Sequence, residues 1–571
     1  MGICVLVFIA LINYANSINN TFVYDDHSFV LNNPAIRDIG NWKLFFTDSP
    51  KAQDTEAKFH IYRPLRTLLY SIEYKIFSLS PYGYHLLSLK LHIINTMIVF
   101  WLIYLLLCNY RIAFIASLIF TVHPVQTETV NWISAQSDLL SSFFGVLTLI
   151  CFVKGINNRL FYLSSIILFV PALLSKEVSV IIPAVMLMVS FFFMKSKPFK
   201  TTLIMVIPHI ILASAYFVIR NKIIGQIAQT NYWGGAIYTN FAAMVKVYVR
   251  YIFNTFLPVN LSVEYDIAVP NSMFNSKTLV SIVILMIFIR LIFAFRNRKE
   301  IILGLIFFLL YLLPVSNIFP ITALMADRFM YNSMIGAAIA AGFVLNTLSK
   351  QYLKITLVSV ICIVVSFVSL SIARNTVWKN DTVLWSYTSK NMRVNSKTIG
   401  NLAKSYAVKE DYHKAKQLYQ KILSEFPNEV GALNGLGFCY YKLNDRKNAE
   451  NTFLYSLKLN KDNPFTLYNL AVIYLDREDF HTAKEFLEKS VQNFPDYAQA
   501  YSALGIAYAG CSMPDKAEVS FIKAIEIQPL RKEFYLNLKN FYQNSGLPDD
   551  KLEKYIDKFK KISPDLEIIL K

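Results

Sequence analysis

The feature that most limits what this chain can become is a series of long apolar runs, all before residue 375, too many and too closely spaced to share one water-soluble core. Crossing the hydrocarbon layer of a bilayer takes roughly 20 apolar residues in a helix. Runs of that kind lie near 1–17, 86–107, 139–153, 160–174, 178–194, 201–219, 279–295, 301–318, 334–348 and 353–373. A shorter run, Ile112–Val122, follows the second after a single turn, which makes about eleven spans. A content of 55% hydrophobic and 16% charged residues, with a mean hydropathy of +0.40, agrees with a membrane protein and not with a globular one. Met1–Ile12 has no basic segment before it and no convincing cleavage site after it, so it reads as a retained first span.

A net charge of +18 would suit a nucleic-acid partner, but most basic residues of the first part sit in short loops, where they report topology. One set of alternate loops holds Arg111, then Lys154 and Arg159, then Lys195, Lys197 and Lys200, then Arg296, Arg298 and Lys299, then Lys350 and Lys354. In the other set, 123–138 has no Lys or Arg, 175–177 has only Lys176 and 319–333 has only Arg328. Basic loops stay on the cytoplasmic side. Segments 18–85, 123–138 and 220–278 are therefore expected outside, and an odd number of spans carries the C-terminal part outside with them. The six cysteines show neither a disulfide framework nor a metal-ligand spacing.

From residue 400 onward the chain repeats itself with a period of 34, the tetratricopeptide spacing. Ala403, Gly437, Ala471 and Gly505 form one column; Tyr406, Tyr440, Tyr474 and Tyr508 a second; Ala415, Ala449, Ala483 and Ala517 a third. Pro427, Pro495 and Pro529 end repeats, with Lys461 where another proline is expected. A half repeat around Trp385, in register with Tyr419, and a degenerate one over Leu538–Tyr555 read as caps. The expected architecture is all-α: a transmembrane helical domain over 1–374, then a tetratricopeptide superhelix over 375–571. Such an array offers a concave face to an extended peptide or a partner helix.

Ionisable residues beside spans carry a cost that function or pairing must offset. Asp25 and Asp26 directly follow the first outer chain segment Phe22-Val23-Tyr24, and neighbouring carboxylates suppress each other's ionisation. His123, Glu128 and Asp138 lie on the loop without Lys or Arg, with Trp132 read as an interfacial anchor between the two acids. Lys176 and Glu177 occupy a tight outer turn, Asp327 and Arg328 the last outer loop, and Arg63 the first. Taken singly, each is accounted for as a loop charge or a helix cap. Together they fall on one side of the membrane, under a topology derived from other residues. Carboxylates beside fixed cations are what transfer of a group from a membrane-bound phosphate requires: a base for the accepting hydroxyl and positive charge for the departing phosphate.

These residues make the chain resemble the transmembrane and tetratricopeptide-repeat O-mannosyltransferase family, within the wider membrane glycosyltransferase C fold, with prokaryotic relatives. The resemblance runs in order through Phe22-Val23-Tyr24-Asp25-Asp26, Tyr62-Arg63-Pro64-Leu65, Tyr84-His85, His92 and His123-Pro124-Val125-Gln126-Thr127-Glu128. It continues through Ser137-Asp138-Leu139-Leu140, Leu174-Ser175-Lys176-Glu177, Pro314–Asn317, Asp327-Arg328 and Arg374–Trp378. It implies a polyprenyl- or dolichyl-phosphate sugar as donor, usually of mannose, and an acid pair in the first outer loop as catalytic. Asp327 stands where the family usually has Glu, and the repeat array is short.

The reading is an inverting glycosyltransferase acting on a hydroxyl, with Ser or Thr of a protein the leading acceptor. Asp25 or Asp26 is the base; Arg63, Lys176 and Arg328 are candidates for the donor phosphate; His123, Glu128, Asp138, Glu177 and Asp327 are candidates for positioning substrate. No cofactor or metal is called for, since the lipid-phosphate sugar is itself the donor. The expected location is a prokaryotic plasma membrane, or else the endoplasmic reticulum, with the repeats on the outer or lumenal side. Two other readings are a membrane-anchored repeat scaffold without activity and a transporter of lipid-linked sugar. A transporter would carry charge near the midplane and broken helices in inverted repeats.

Overall fold

The computed structural model describes residues 2–48, 61–193, 198–225, 231–270, 272, 274–390 and 395–545. Among the described residues there is no strand. The chain divides into two compact units, one of Met1–His27, Trp42–Ser49 and His60–Asn380, the other including Ser28–Asn41 and everything from Asp381 onward.

In the first unit the helices in chain order are α1 (Gly2–Tyr14), α2 (Trp42–Thr47), α3 (Pro64–Phe77), α4 (Pro81–Leu107), α5 (Tyr110–Val122), α6 (Thr127–Asn131), α7 (Gln136–Gly155) and α8 (Arg159–Ser175). They are followed by α9 (Ile182–Phe193), α10 (Phe199–Ile224), α11 (Ile237–Phe256), α12 (Ser276–Ala294), α13 (Lys299–Leu312), α14 (Ser333–Ser349) and α15 (Leu353–Asn375). Each of the eleven apolar runs has its own helix: α1, α4, α5, α7, α8, α9, α10, α12, α13, α14 and α15. Five apolar stretches, Pro81–Leu107, Ile133–Gly155, Phe199–Ile224, Ser276–Ala294 and Leu353–Trp378, are long and apolar enough to cross a membrane by themselves. Lys195 and Lys197, used for the topology, lie outside the described residues.

Differences from the apolar runs have local causes. The run 301–318 gives a helix only to Leu312, because Pro314 cannot continue it and the chain turns through a short 3-10 segment, Leu313–Val315. The segment 220–278, read as an outer loop, contains the 20-residue helix α11. Lys246 and Arg250 interrupt its apolar residues, so it is amphipathic and does not show as a run.

Lipid gives apolar helices no drive to associate, so close packing through small residues matters. A side chain at Gly304 on α13 would place its Cβ 2.5 Å from the carbonyl oxygen of Gly336 on α14. The two backbones touch only because both residues are glycine. A buried polar net ties α4 to its neighbours. His92 donates from Nε2 to the Thr121 carbonyl at 3.2 Å, so its Nδ1 accepts from the Tyr331 hydroxyl at 2.8 Å, and Asn95 donates to Tyr331 at 3.2 Å and to the Leu139 carbonyl at 3.0 Å.

The second unit is a tetratricopeptide array. A lone helix α16 (Asp381–Lys390) packs on the first of the pairs α17 (Ser396–Val408) and α18 (Tyr412–Glu425), α19 (Val430–Lys442) and α20 (Arg446–Leu459), α21 (Pro464–Asp476) and α22 (Phe480–Asn493), and α23 (Ala498–Gly510) and α24 (Pro514–Ile527). α25 (Lys532–Ser545) follows; the rest of the expected end cap, to Tyr555, lies outside the described residues. The period has a backbone counterpart. Glu410, Asn444, Glu478 and Ser512 all adopt positive φ in the turn within a pair. Asp411, Asp445 and Asp479 then cap the second helix by accepting from the amides of Lys414, Asn448 and Thr482. The small column is explained by size. A Cβ on Gly437 would lie 2.5 Å from Phe453, and one on Gly505 2.7 Å from Phe521, whereas Ala471 shares its cluster with the smaller Leu487.

Candidate active site

The acid pair is placed by the turn after the first span. Tyr24 takes a left-handed backbone conformation (φ 55°), and the two carboxylates that follow end in different surroundings. Asp26 is fully buried; its Oδ2 accepts from the Val23 amide at 3.1 Å, and its Oδ1 from the Ser134 amide at 2.8 Å and the Ser134 hydroxyl at 2.5 Å. Burial pushes the Asp26 carboxyl up to about 7, against the lowering effect of these hydrogen bonds. Asp25 is half-buried.

Each of the three candidate phosphate cations stands beside a carboxylate that was itself a candidate. Arg63, at the start of α3, holds Glu177 through two hydrogen bonds of 3.0 and 2.6 Å. Lys176 reaches both oxygens of Asp138 at 2.6 Å, with side chains only 3% and 8% exposed. Arg328 lies 2.5 Å from Glu128, which also accepts from the Asp327 amide at 3.1 Å. Arg63, Lys176 and Arg328 also feel one another's fields and that of Asp138, so the three pairs form one cluster. Burial brings the Lys176 ammonium down to about 8 even beside Asp138.

Asp327 is buried and accepts from the Tyr265 hydroxyl at 2.5 Å. Burial first, then the neighbouring Glu128, pushes its carboxyl up to about 7. His123 has both ring nitrogens on backbone: Nε2 donates to the Thr255 carbonyl at 3.0 Å and Nδ1 accepts from the Val125 amide at 3.3 Å. It joins the loop to α11 and has no ring nitrogen left for a sugar in this arrangement. Trp132 is 5% exposed, not at an interface. It stacks on Tyr24 at 5.5 Å and on Trp378 at 6.3 Å between centroids, with the Arg328 guanidinium 4.8 Å from its ring.

Three residues were not foreseen. Arg66, one turn beyond Arg63 on α3, is 2% exposed, lies over the Tyr70 ring at 5.5 Å and is within the field of Asp25. Glu73 on the same face accepts from Gln136 at 2.8 Å. The spacing of Arg63, Arg66, Tyr70 and Glu73 by three or four residues is the signal that would have found them, because it puts all four on one helical face. Tyr265 comes from a non-helical stretch with no periodicity to read.

Comparison with known proteins extends this picture. Two stretches, 401–429 and 466–497, match the tetratricopeptide repeat family. The human protein O-mannosyl-transferase TMTC3 is 23% identical over all of this chain and 68% of its own length. Along its whole length this chain resembles the transmembrane and tetratricopeptide-repeat O-mannosyltransferases. The Caenorhabditis elegans protein O-mannosyl-transferase F38B6.6 is 24% identical over 71% of the chain and 59% of its own length. The Xenopus laevis protein O-mannosyl-transferase tmtc2 is 33% identical, but over 28% of the chain and 19% of its own length. The chain thus spans about two thirds or less of these relatives. Among solved structures, MamA is 26% identical over 29% of the chain and 95% of its own, at a TM-score of 0.25 that carries no argument.

Proposed function

We propose that the chain is a membrane glycosyltransferase that moves a sugar, mannose foremost, from a polyprenyl- or dolichyl-phosphate donor to a hydroxyl, foremost Ser or Thr of a protein. The observation that carries the reading is the division of the acid pair beside a cluster of three cations. Asp26 has its oxygens engaged by Val23 and Ser134, which makes it the residue that fixes the turn. Asp25, one residue earlier and half-buried, is the member left to meet a substrate. It takes the proton of the acceptor hydroxyl while the hydroxyl oxygen bonds to the anomeric carbon. The bond from that carbon to the phosphate oxygen breaks, its electron pair leaves with the phosphate, and the configuration inverts. The sugar passes through a transition state of oxocarbenium character.

The phosphate gains one negative charge as it leaves, and fixed cations favour that state over the starting one. Arg63, Lys176 and Arg328 supply the charge. Their carboxylate partners hold the cations in place in a buried setting, where an unpaired charge would be costly. The relatives' names support mannose and a protein acceptor, and the loop charges support an outer or lumenal site on a plasma membrane or the endoplasmic reticulum. The repeat array is the surface that supports peptide capture.

Asp25→Asn keeps size and removes the proton acceptor, so it should cut transfer by about 10² or more with donor binding retained. Asp26→Asn should cost folding stability more than it costs the rate of the folded protein. A wild-type rate in Asp25→Asn, measured with a polyprenyl-phosphate sugar, would remove the proposed base.

A further inference from the structure

Helices α9 and α10 enclose an open groove of about 360 Å³, lined by Val180, Pro183, Ala184 and Leu187 on one side and Ile210, Ala213, Ser214 and Phe217 on the other. Its lining is apolar except for one hydroxyl. The outward side of α10 continues that character, with Ile207, Ile211 and Val218 all strongly exposed, as suits a helix facing lipid. One end of the groove leads to the charged cluster. One turn before Val180 stands Glu177, which holds Arg63, and one turn after Phe217 stands the buried Arg220. Tyr216, beside Phe217, points its hydroxyl toward the Tyr62 carbonyl at 3.5 Å and lies within the fields of Glu177 and Arg63.

We infer that this groove holds the isoprenoid chain of a polyprenyl phosphate, with the phosphate at the Arg63–Glu177 and Lys176–Asp138 pairs. The argument is the continuity of the two surfaces. A bilayer lipid can slide sideways into an apolar trough open to hydrocarbon, and this trough ends at buried cations and not in a closed wall. An ordinary phospholipid could fill an apolar trough as well, but it would bring two acyl chains and a glycerol to an opening bounded by charged side chains. A single chain ending directly in phosphate fits that sequence of surfaces. The inference rests on the donor reading above and adds the path by which the donor enters.

The test uses the full chain in phosphatidylcholine nanodiscs, with two probes: a long-chain polyprenyl monophosphate carrying a photoreactive group in its chain, and geranyl phosphate as a short, soluble counterpart. Labelling of wild-type protein should fall on 180–187 and 210–217, and unlabelled polyprenyl phosphate should compete where dioleoyl phosphatidic acid does not. Ser214→Trp should weaken polyprenyl phosphate binding by about tenfold, the worth of two or so lost methylene contacts, with geranyl phosphate affected less. Val218→Trp, the same bulk on the lipid-facing side of α10, should bind as wild type does. Labelling elsewhere, equal competition by phosphatidic acid, or unchanged binding in Ser214→Trp would each overturn the inference. Groove-dependent binding without any sugar transfer would keep the groove and refute the transferase; transfer by both Ser214→Trp and Ala184→Trp at the wild-type rate would do the reverse.

Discussion

Ion pairs of similar length mean different things in the two halves of this molecule. Lys176 and Asp138 in the membrane half stand 2.6 Å apart with side chains 3% and 8% exposed; Arg477 and Glu450 in the repeat half stand 2.5 Å apart with side chains 46% and 20% exposed. Water already solvates the second pair and screens it, so its formation contributes little. The first pair has given up its water, and each partner depends on the other. Charge in the repeat half decorates helices that apolar packing holds together. In the membrane half it is concentrated in one cluster that needs a reason to exist, and transfer chemistry is the reason proposed.

The largest break in that comparison should come from Asp138→Asn. It leaves Lys176 buried beside Arg63 and Arg328, and removing one partner of a buried pair costs about 3–5 kcal/mol. The double change Asp138→Asn with Lys176→Met should recover much of the stability and none of the activity. Thermal unfolding in detergent, followed alongside transfer, would read both; an Asp138→Asn protein as stable as wild type would show that the pair is solvated after all.

Acidity should move the halves in opposite directions. Asp26 and Asp327 are raised by burial to about 7, so the folded membrane half holds protons that an unfolded chain releases above about 4. Their contribution is fully present below that ordinary value and is lost as pH rises through 7. Asp411 and Asp479 in the repeat half are held below the ordinary range by hydrogen bonds from Lys414 and Thr482, so their contribution is present above it and lost as pH falls. Hydrogen exchange resolved by region, corrected for its intrinsic pH dependence, should show protection of the acid-pair turn falling between pH 5 and 8 and protection of the repeat helices falling below about 4. Slopes of the same sign in both halves would contradict the assignment.

Smaller effects test packing in the repeats. Gly437→Val drives a branched side chain against Phe453 and should cost about 1–3 kcal/mol. Arg477→Ala should cost about 1 kcal/mol or less. Calorimetry on the full chain separates the two, and an Arg477→Ala loss as large as that of Gly437→Val would mean that surface charge, and not packing, organises the array.

The two halves also differ in how readily they can be read from residues alone. Helix pairs with a period of 34 advertise every contact, because Ala415, Ala449 and their equivalents must be small wherever they occur. Apolar spans are equally plain, since lipid demands length and hydrophobicity. What stayed hidden is what mixed surfaces hide: α11 alternates apolar residues with Lys246 and Arg250, and α3 turns Arg66 and Glu73 inward where composition alone would turn them out. The structure brings Asp25, Asp26, Arg63, Lys176, Glu177, Glu128, Asp138, Asp327 and Arg328 to one region. Their pairing could not be read, because it depends on loops 40 to 200 residues apart in the chain.

The most direct test of the central claim is transfer by the purified wild-type chain. Polyprenyl-phosphate mannose and a Ser/Thr-containing peptide should yield a mannosylated peptide of inverted anomeric configuration, together with one polyprenyl phosphate per sugar moved, and a nucleotide-linked mannose should yield neither. Mannosylation from the nucleotide sugar alone, or no transfer from the lipid-linked donor to any hydroxyl acceptor, would contradict it.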